Sequence, residues 1–209
     1  MKKTFRRITL FAIVAALVQS LGAQAAPPSQ ELLLQFDPAQ TGADILLAGN
    51  LHTVDGSFAL KRGTVHFNPD TGRASGEIVF DAASGRTGNS SRDNKMHKDV
   101  IQSHRYPEIV FRPDRADGTL ATSGDSTIQV HGMFAIHGAE HEVTFPVRVS
   151  FSGTTWTAKS SFQIPYVKWG MKNPSVLFLR VADTVQIQFH AAGSTGSSPG
   201  ENVDQRGHF

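Results

Sequence analysis

The feature that most constrains the fold is a strict alternation of apolar and polar residues in the second half of the chain. Apolar residues occupy every second position from Val143 to Phe151, with Thr144, Pro146, Arg148 and Ser150 between them. Successive side chains of an extended strand point to opposite faces, so a period of two over this length predicts a strand with one dry face and one wet face. The rest of the chain must cover the dry face.

Comparable alternating stretches, separated by turn residues, occur along most of the chain. The run from His52 to Phe67 is interpreted as a hairpin whose arms flank Lys61-Arg62-Gly63. Further strands are predicted at residues 31–36, 45–47, 77–81, 108–111, 128–136, 156–164 and 185–189. About eight sequential antiparallel strands, each with one dry face, must pack as a sandwich or close into a barrel.

The length of the strands and the many phenylalanines on their dry faces favour an all-β, antiparallel barrel. Eight strands enclose an interior just wide enough to be filled by side chains or to hold one slender ligand. Aromatic walls without charges suit an apolar ligand, and an ordinary packed core is the alternative. The predicted inward residues are Phe58, Phe67, Phe80, Phe111, Phe134, Phe145, Phe151, Phe162 and Phe189, with Ile136, Val147 and Ile187.

One segment between the strands, residues 86–111, has the pattern of a short helix. Asn89 and the two serines after it are residue types that cap helix N-termini, and Pro107 ends the helical pattern. An apolar stripe at helical spacing is formed by Met96, Val100 and Ile101. Because such a short helix is marginal alone, we expect it to pack on an open end or side of the barrel.

The same segment holds charged residues and histidines, which raises the question of catalysis. Arg92, Asp93, His97 and His104 are close together in sequence. The chain has no cysteine, and no G-x-S-x-G nucleophile elbow lies between a predicted strand and a predicted helix. We therefore predict no catalytic residue, and we expect Arg92 to tie the helix to neighbouring carbonyls or carboxylates.

The nine histidines raise the question of a metal site. His137 and His141 are four residues apart but flank a turn, so they lack the shared helical face of a His-Glu-x-x-His site. Four others fall out of phase with the apolar positions of strands and are expected to point outward: His52, His66, His131 and His190. Since a zinc site needs three or four convergent ligands, we predict no metal.

The first 25 residues have the pattern of a secretory signal peptide. Four basic residues precede an apolar run, residues 8–18, that is too short to span a membrane, and Ala23-Gln24-Ala25 fits a processing site. We expect cleavage between Ala25 and Ala26, a periplasmic or secreted protein, and no membrane span after processing. The folded domain is predicted at residues 26–192, and the Gly/Ser-rich segment 193–209 is predicted to be a disordered tail.

Charge and cysteine content narrow the class of protein further. The full chain carries +2, but the signal segment holds four of the 20 basic residues and no acidic residue, which leaves the remainder at −2. The remainder therefore has no general basic field, and we predict no nucleic-acid partner. Without cysteine, an exported domain must be stabilised by its own core or by a ligand.

Several motifs together resemble the YceI-like family of periplasmic polyisoprenoid-binding proteins. The most specific is T-G-N-x-x-R-D-x-x-M at residues 87–96, followed by Y-P-E-I-x-F at 106–111. Weaker motifs are H-T-V-D-G-S-F at 52–58, the turn at His137-Gly138, and P-Y-V-K-W-G at 165–170. The resemblance covers about residues 34–192. It implies an extended, lipocalin-like antiparallel β-barrel with a helix packed on it.

The resemblance also implies a function in binding or carriage instead of catalysis. The pore of such a barrel holds a long isoprenoid chain, such as a quinone tail, as ligand, and no other cofactor is implied. Trp169 either lies at the pore mouth, where an amphipathic ring fits, or fills the core. Two alternatives stay open: a lipid-modifying enzyme that uses the same cavity, and a stress-related structural barrel with a filled core. The sequence also leaves a homodimer open.

Overall fold

The computed structural model describes residues 31–121 and 123–197, which form nine antiparallel strands closed into one barrel. Each strand from β2 to β9 pairs with the next in sequence, and β9 pairs with β2 to close the ring. The predicted antiparallel barrel of about eight strands is confirmed. The strands are β1 (Leu32–Phe36), β2 (Gly42–Leu47), β3 (Val54–Phe67), β4 (Ala74–Asp81), β5 (Glu108–Asp117), β6 (Gly124–Ile136), β7 (Ala139–Ser152), β8 (Thr155–Ile164) and β9 (Val185–Ser197).

The extra strand, β1, lies in line with β2 between β3 and β9. β1 pairs with the last part of both neighbours, and β2 pairs with residues 54–59 of β3 and 186–190 of β9. The predicted tail therefore begins too early, because residues 193–197 are paired with β1. Gly193 is required there by close packing, since a Cβ at this position would lie 1.9 Å from the carbonyl oxygen of Gln35. The rest of the predicted tail, and the predicted signal peptide, lie outside the described residues.

The predicted hairpin at residues 52–67 is wrong, because β3 is one strand of 14 residues. A register shift places a bulge at Lys61. Lys61 and Arg62 reach across the outer wall to Glu108 of β5, at N–O distances of 2.8 and 2.9 Å. Gly63 allows the ring of Phe36 to approach the strand, since a Cβ here would lie 2.8 Å from Cγ of that ring. The Lys-Arg-Gly sequence thus serves cross-strand contacts instead of a turn.

The predicted helix lies between β4 and β5 and packs on the barrel. It consists of α1 (Ser90–Lys95) and a π-helical turn (Met96–Val100) that continues it, after a 3₁₀ turn (Ala82–Ser84). Oδ1 of Asn89 accepts a hydrogen bond from the Arg92 N–H at 3.0 Å, which caps the helix. Val100 and Ile101 are buried in the core. In the described part of the chain, no helix has the length and apolar character needed to cross a membrane.

The two ends of the barrel differ. At one end, which we call the turn end, short connections join β3 to β4, β5 to β6, and β7 to β8. At the other, the helix end, lie the α1 segment, the β2–β3 connection (residues 48–53) and the β8–β9 connection (residues 165–184). The β6–β7 turn is also at this end. Its central residues, His137 and Gly138, both have positive φ (54° and 79°), as tight hairpin turns require.

Candidate functional site

The barrel interior holds a cavity of about 640 Å³, within the size range of small-molecule sites. Side chains from all nine strands line it, and none of the described lining residues is Asp or Glu. The interior is therefore not filled by side chains. Its walls offer apolar contact area and almost no hydrogen-bonding groups.

The twelve residues predicted to point inward all line this cavity. They are Phe58, Phe67, Phe80, Phe111, Phe134, Ile136, Phe145, Val147, Phe151, Phe162, Ile187 and Phe189. The alternation of each strand sets the direction of its side chains, so the pattern alone identified this set. Their contact with a ligand remains a prediction.

Aromatic contacts fix part of the cavity wall. The ring of Phe145 stacks on that of Phe162, with centroids 4.1 Å apart and planes 7° apart. It also meets the ring of Phe111 at 5.2 Å. Such pairs contribute about 0.5–1.5 kcal/mol beyond the burial of their area. The wall is therefore held in one arrangement by its own packing.

Of the two alternatives for Trp169, the pore mouth or the core, the structure favours packing against the core. Trp169 is not among the lining residues. Its indole stacks on the imidazole of His141, with centroids 4.1 Å and planes 2° apart, and it meets Phe134 at 5.9 Å. Burial lowers the pKa of His141, because the charged imidazolium would lose its hydration. Trp169 thus covers the barrel wall at the helix end.

The cavity opens at the helix end. Among the described lining residues, the exposed ones are His52, Asn89, Ser91 and Val176, and all four belong to this end. Those at the turn end are buried or half-buried. His52 lies in the β2–β3 connection, so the expectation that it points outward from a strand is wrong. We call this opening the mouth.

The polar side of the mouth is built by the segment from Thr87 to Lys95. Nε and Nη2 of Arg92 donate to the hydroxyl and carbonyl oxygens of Thr87, both at 2.7 Å. Oδ1 of Asp93 accepts from the Thr87 hydroxyl at 2.5 Å and from its N–H at 2.8 Å. These bonds hold the pKa of Asp93 below its usual value. The predicted role of Arg92, tying the helix to a neighbouring carbonyl, is confirmed.

His97 has structural partners on both ring nitrogens. Nε2 lies 2.9 Å from the carbonyl oxygen of Gly85. A carbonyl only accepts, so Nε2 donates here, and Nδ1 lies 3.0 Å from the Ser103 hydroxyl oxygen. His104, the other histidine of the segment, is exposed. The arrangement joins the end of the helix to the chain that precedes it.

His131 lies on the outer wall, as predicted, but is covered there by two carboxylates. Nδ1 lies 2.7 Å from Oδ1 of Asp114, and Nε2 lies 2.6 Å from Oε1 of Glu142. Asp114, and after it Glu142, raise the pKa of His131. Across the described residues, no group of three or more His, Asp or Glu side chains is placed to hold a metal ion.

Sequence reasoning missed three contributions to the cavity. The short strands β1 and β2 supply five apolar lining residues: Leu34, Phe36, Ala43, Ile45 and Leu47. The helix supplies its apolar stripe, and the β8–β9 connection supplies residues such as Val176 and Leu179. The polar mouth coincides with the T-G-N motif, which was the one sequence signal for it.

The closed barrel, its apolar interior and its single described mouth define the class of small antiparallel barrels with a ligand-sized interior. The chain belongs to the YceI-like family, whose model, the YceI-like domain, matches residues 34–192. Among curated protein sequences, none matches this chain at a significant level.

Solved structures of three bacterial proteins share the fold. BcnA of Burkholderia cenocepacia has a TM-score of 0.63 and 24% identity, covering 76% of this chain and 99% of its own. A polyisoprenoid binding domain from Saccharophagus degradans, implicated in plant cell wall breakdown, has a TM-score of 0.61 and 16% identity. The match covers 78% of this chain and 98% of that domain. The Campylobacter jejuni YCEI protein has a TM-score of 0.50 and 14% identity, and the match covers 72% of this chain and 85% of that protein. At these identities the likeness concerns the fold.

Proposed function

We propose that this protein is a periplasmic carrier that holds an apolar, chain-like ligand in the barrel cavity. The ligand class is a polyisoprenoid, an isoprenoid quinone or a similar lipid. The observation that carries the proposal is the cavity of about 640 Å³, with uncharged walls and a mouth at one end. Membership of the YceI-like family and the polyisoprenoid binding domain among the similar structures support the same ligand chemistry.

Binding would be driven by burial of the ligand chain. Each methylene group moved from water into the cavity contributes roughly 0.8 kcal/mol. A long tail therefore binds tightly without directed polar contacts. A polar headgroup would remain at the mouth, beside Lys95 and His52.

The distribution of titratable groups favours binding over catalysis. General acid–base chemistry needs positioned titratable groups at the reacting atoms. The titratable residues lining the cavity are His52, Arg92, Lys95 and Tyr166. The first three are at the mouth, and the Tyr166 hydroxyl donates to the carbonyl oxygen of Ala182 at 2.8 Å. A lipid-modifying enzyme would need a pair of such groups deep in the cavity.

The periplasmic setting rests on the predicted signal peptide, and it has its own test. The full chain would be expressed in a diderm bacterium, and the protein recovered from the periplasmic fraction would be analysed by mass spectrometry. We expect a chain that begins at Ala26. Full-length protein confined to the cytoplasm would contradict export.

The ligand is tested by organic extraction of the purified native protein, followed by mass spectrometry. We expect a lipid with a long apolar chain in about one copy per barrel. A clean extract, together with no uptake of added polyprenol by the delipidated protein, would overturn the carrier proposal.

A pair of substitutions on β8 separates the cavity from the outer wall. Ala158 is buried and lines the cavity, whereas its neighbour Thr157 is exposed. Ala158→Phe should fill the cavity with an apolar ring and weaken lipid uptake about tenfold or more, while the fold is retained because empty space accepts the ring. Thr157→Phe should leave uptake unchanged. Equal uptake by both variants would place the ligand elsewhere.

A further inference from the structure

An exposed apolar patch lies beside the mouth. In the described part of the chain, the exposed large apolar side chains are Leu51, Val176, Leu177 and Phe178, at 72%, 55%, 90% and 86% exposure. All four belong to the β2–β3 and β8–β9 connections. Single exposed apolar residues are common on proteins, but a set concentrated at one place marks an interaction surface.

The patch is held in place by hydrogen bonds. The N–H groups of Val176 and Leu179 donate to each other's carbonyl oxygens at 2.9 and 2.8 Å, which forms a tight turn. Asn50 joins this turn to the β2–β3 connection. Its Nδ2 donates to the carbonyl oxygen of Phe178 at 3.1 Å, and its Oδ1 accepts from the Arg180 N–H at 3.0 Å. Backbone groups that are already paired enter a dry environment at less cost.

Three basic residues lie in the same connection as Val176, Leu177 and Phe178. Lys168, Lys172 and Arg180 are exposed, and none forms a salt bridge with a described carboxylate. The acidic residue of the β8–β9 connection is Asp183, whose Oδ1 accepts from Asn173 Nδ2 at 2.7 Å. This connection therefore combines protruding leucine and phenylalanine with three exposed basic residues against one acidic residue, which is the composition of proteins that lie on anionic membranes.

We propose that the mouth docks on the surface of an anionic phospholipid bilayer. The side chains of Leu51, Leu177 and Phe178 enter the boundary between headgroups and acyl chains, and the neighbouring basic residues contact lipid phosphates. Val176 belongs both to the patch and to the cavity lining, so the apolar surface is continuous from the cavity to the docking face. This geometry lets a lipid chain pass between bilayer and barrel without crossing water. The purpose of docking, lipid transfer, rests on the proposed function. Docking itself is measured on delipidated protein and so can be tested separately.

Vesicle binding tests the surface directly. Delipidated protein would be mixed with vesicles of phosphatidylcholine alone, or with added phosphatidylglycerol, and sedimented. We expect binding to the anionic vesicles, and loss of at least about tenfold in affinity for the double variant Leu177→Ser, Phe178→Ser. Lys172→Glu and Arg180→Glu should each weaken binding as well. Lys159→Glu is the matched control, because Lys159 is exposed on the outer wall of β8, away from the patch.

A site-specific label gives a second measurement. Because the chain contains no cysteine, Leu177→Cys and Thr154→Cys each accept one environment-sensitive fluorophore. Residue 154 lies in the β7–β8 connection at the turn end. On addition of anionic vesicles, we expect a blue shift of the emission at position 177 and no shift at position 154.

The outcomes separate docking from ligand carriage. Absence of vesicle binding by the wild-type protein, or equal binding by the patch variants, would overturn docking and leave the carrier proposal standing. A dimer that the Leu177→Ser, Phe178→Ser variant dissociates, with no response to vesicles, would assign the patch to a second copy and overturn docking. A clean organic extract and no uptake of added polyprenol, with vesicle binding intact, would overturn carriage and leave docking standing.

Discussion

The ring of Phe145 is buried between Phe111 and Phe162 and also faces the cavity. Phe145→Ala is expected to lower the free energy of unfolding by about 3 kcal/mol, because it removes aromatic contacts and enlarges a space that is already present. Urea unfolding followed by circular dichroism measures this change. The control is Phe178→Ala, whose ring is 86% exposed and whose loss should cost less than about 0.5 kcal/mol. Equal effects would show that the inward face is assigned wrongly.

Two histidines should change stability with pH in opposite directions. The carboxylates of Asp114 and Glu142 raise the pKa of His131 in the folded protein. The stability that His131 contributes is therefore complete at pH values below about 6.5, the ordinary pKa of histidine, and is lost as pH rises through the raised pKa. Burial lowers the pKa of His141. The folded state is therefore fully stable with respect to His141 above about pH 6.5, the ordinary pKa of histidine, and loses stability as pH falls toward the lowered pKa.

Substitutions at these histidines give the corresponding measurement. His131→Gln should reduce the urea midpoint more at about pH 5.5 than at about pH 8.5. His141→Phe keeps an aromatic ring on Trp169 and should make stability less sensitive to acid. For each variant, the change in urea midpoint relative to the wild type should depend on pH, with opposite signs for the two histidines. The same sign in both variants would contradict the assignment.

At the scale of elements, the last strand has two functions. Residues 186–190 of β9 pair with β2, and residues 193–197 pair with β1. A chain that ends at Ala192 therefore leaves β1 with β3 as its one strand partner in the described structure. It also removes Gly193, the strand partner of Trp156, whose indole is 3% exposed and packs edge-on against Phe36.

Truncation tests the domain boundary. The chain ending at Ala192 should be less stable than the chain ending at Ser197 by about 3 kcal/mol or more, since five strand pairs and the strand partner of Trp156 are lost. Thermal unfolding of the two truncated chains is the measurement. Equal melting temperatures would show that residues 193–197 contribute nothing to the barrel.

At the scale of the whole molecule, the described barrel opens at the helix end and encloses a largely apolar interior. An empty apolar cavity leaves side chains without contacts on one side, so a bound lipid should stabilise the folded barrel. At a free ligand concentration of about 100 times the dissociation constant, the gain is roughly 2.7 kcal/mol. We expect the melting temperature to fall on delipidation and to recover on addition of the extracted lipid. The Ala158→Phe variant should show a smaller recovery, and an equal recovery would place the stabilising site outside the cavity.

Much of the fold and of the cavity wall was determined by the sequence itself. The alternation of Val143 to Phe151 predicts which side chains of β7 face inward, and the same rule identified Phe58, Phe134 and Phe189. The helix and its cap were also predictable, because the Asn89 cap and the apolar stripe are local signals. Local signals suffice where side-chain direction follows from backbone geometry alone.

The tertiary structure decided where strands end, which strands meet and where the cavity opens. Gly63 follows two basic residues and suggests a turn, yet it lies inside one long strand, where the lack of a Cβ lets the ring of Phe36 pack closely. Gly193 begins a segment with the composition of a tail, yet close approach to Gln35 makes it part of the barrel. Trp169 lies against the wall, where its ring stacks on His141. Each outcome depends on a contact between residues far apart in the chain, and a local pattern carries no information about such a contact.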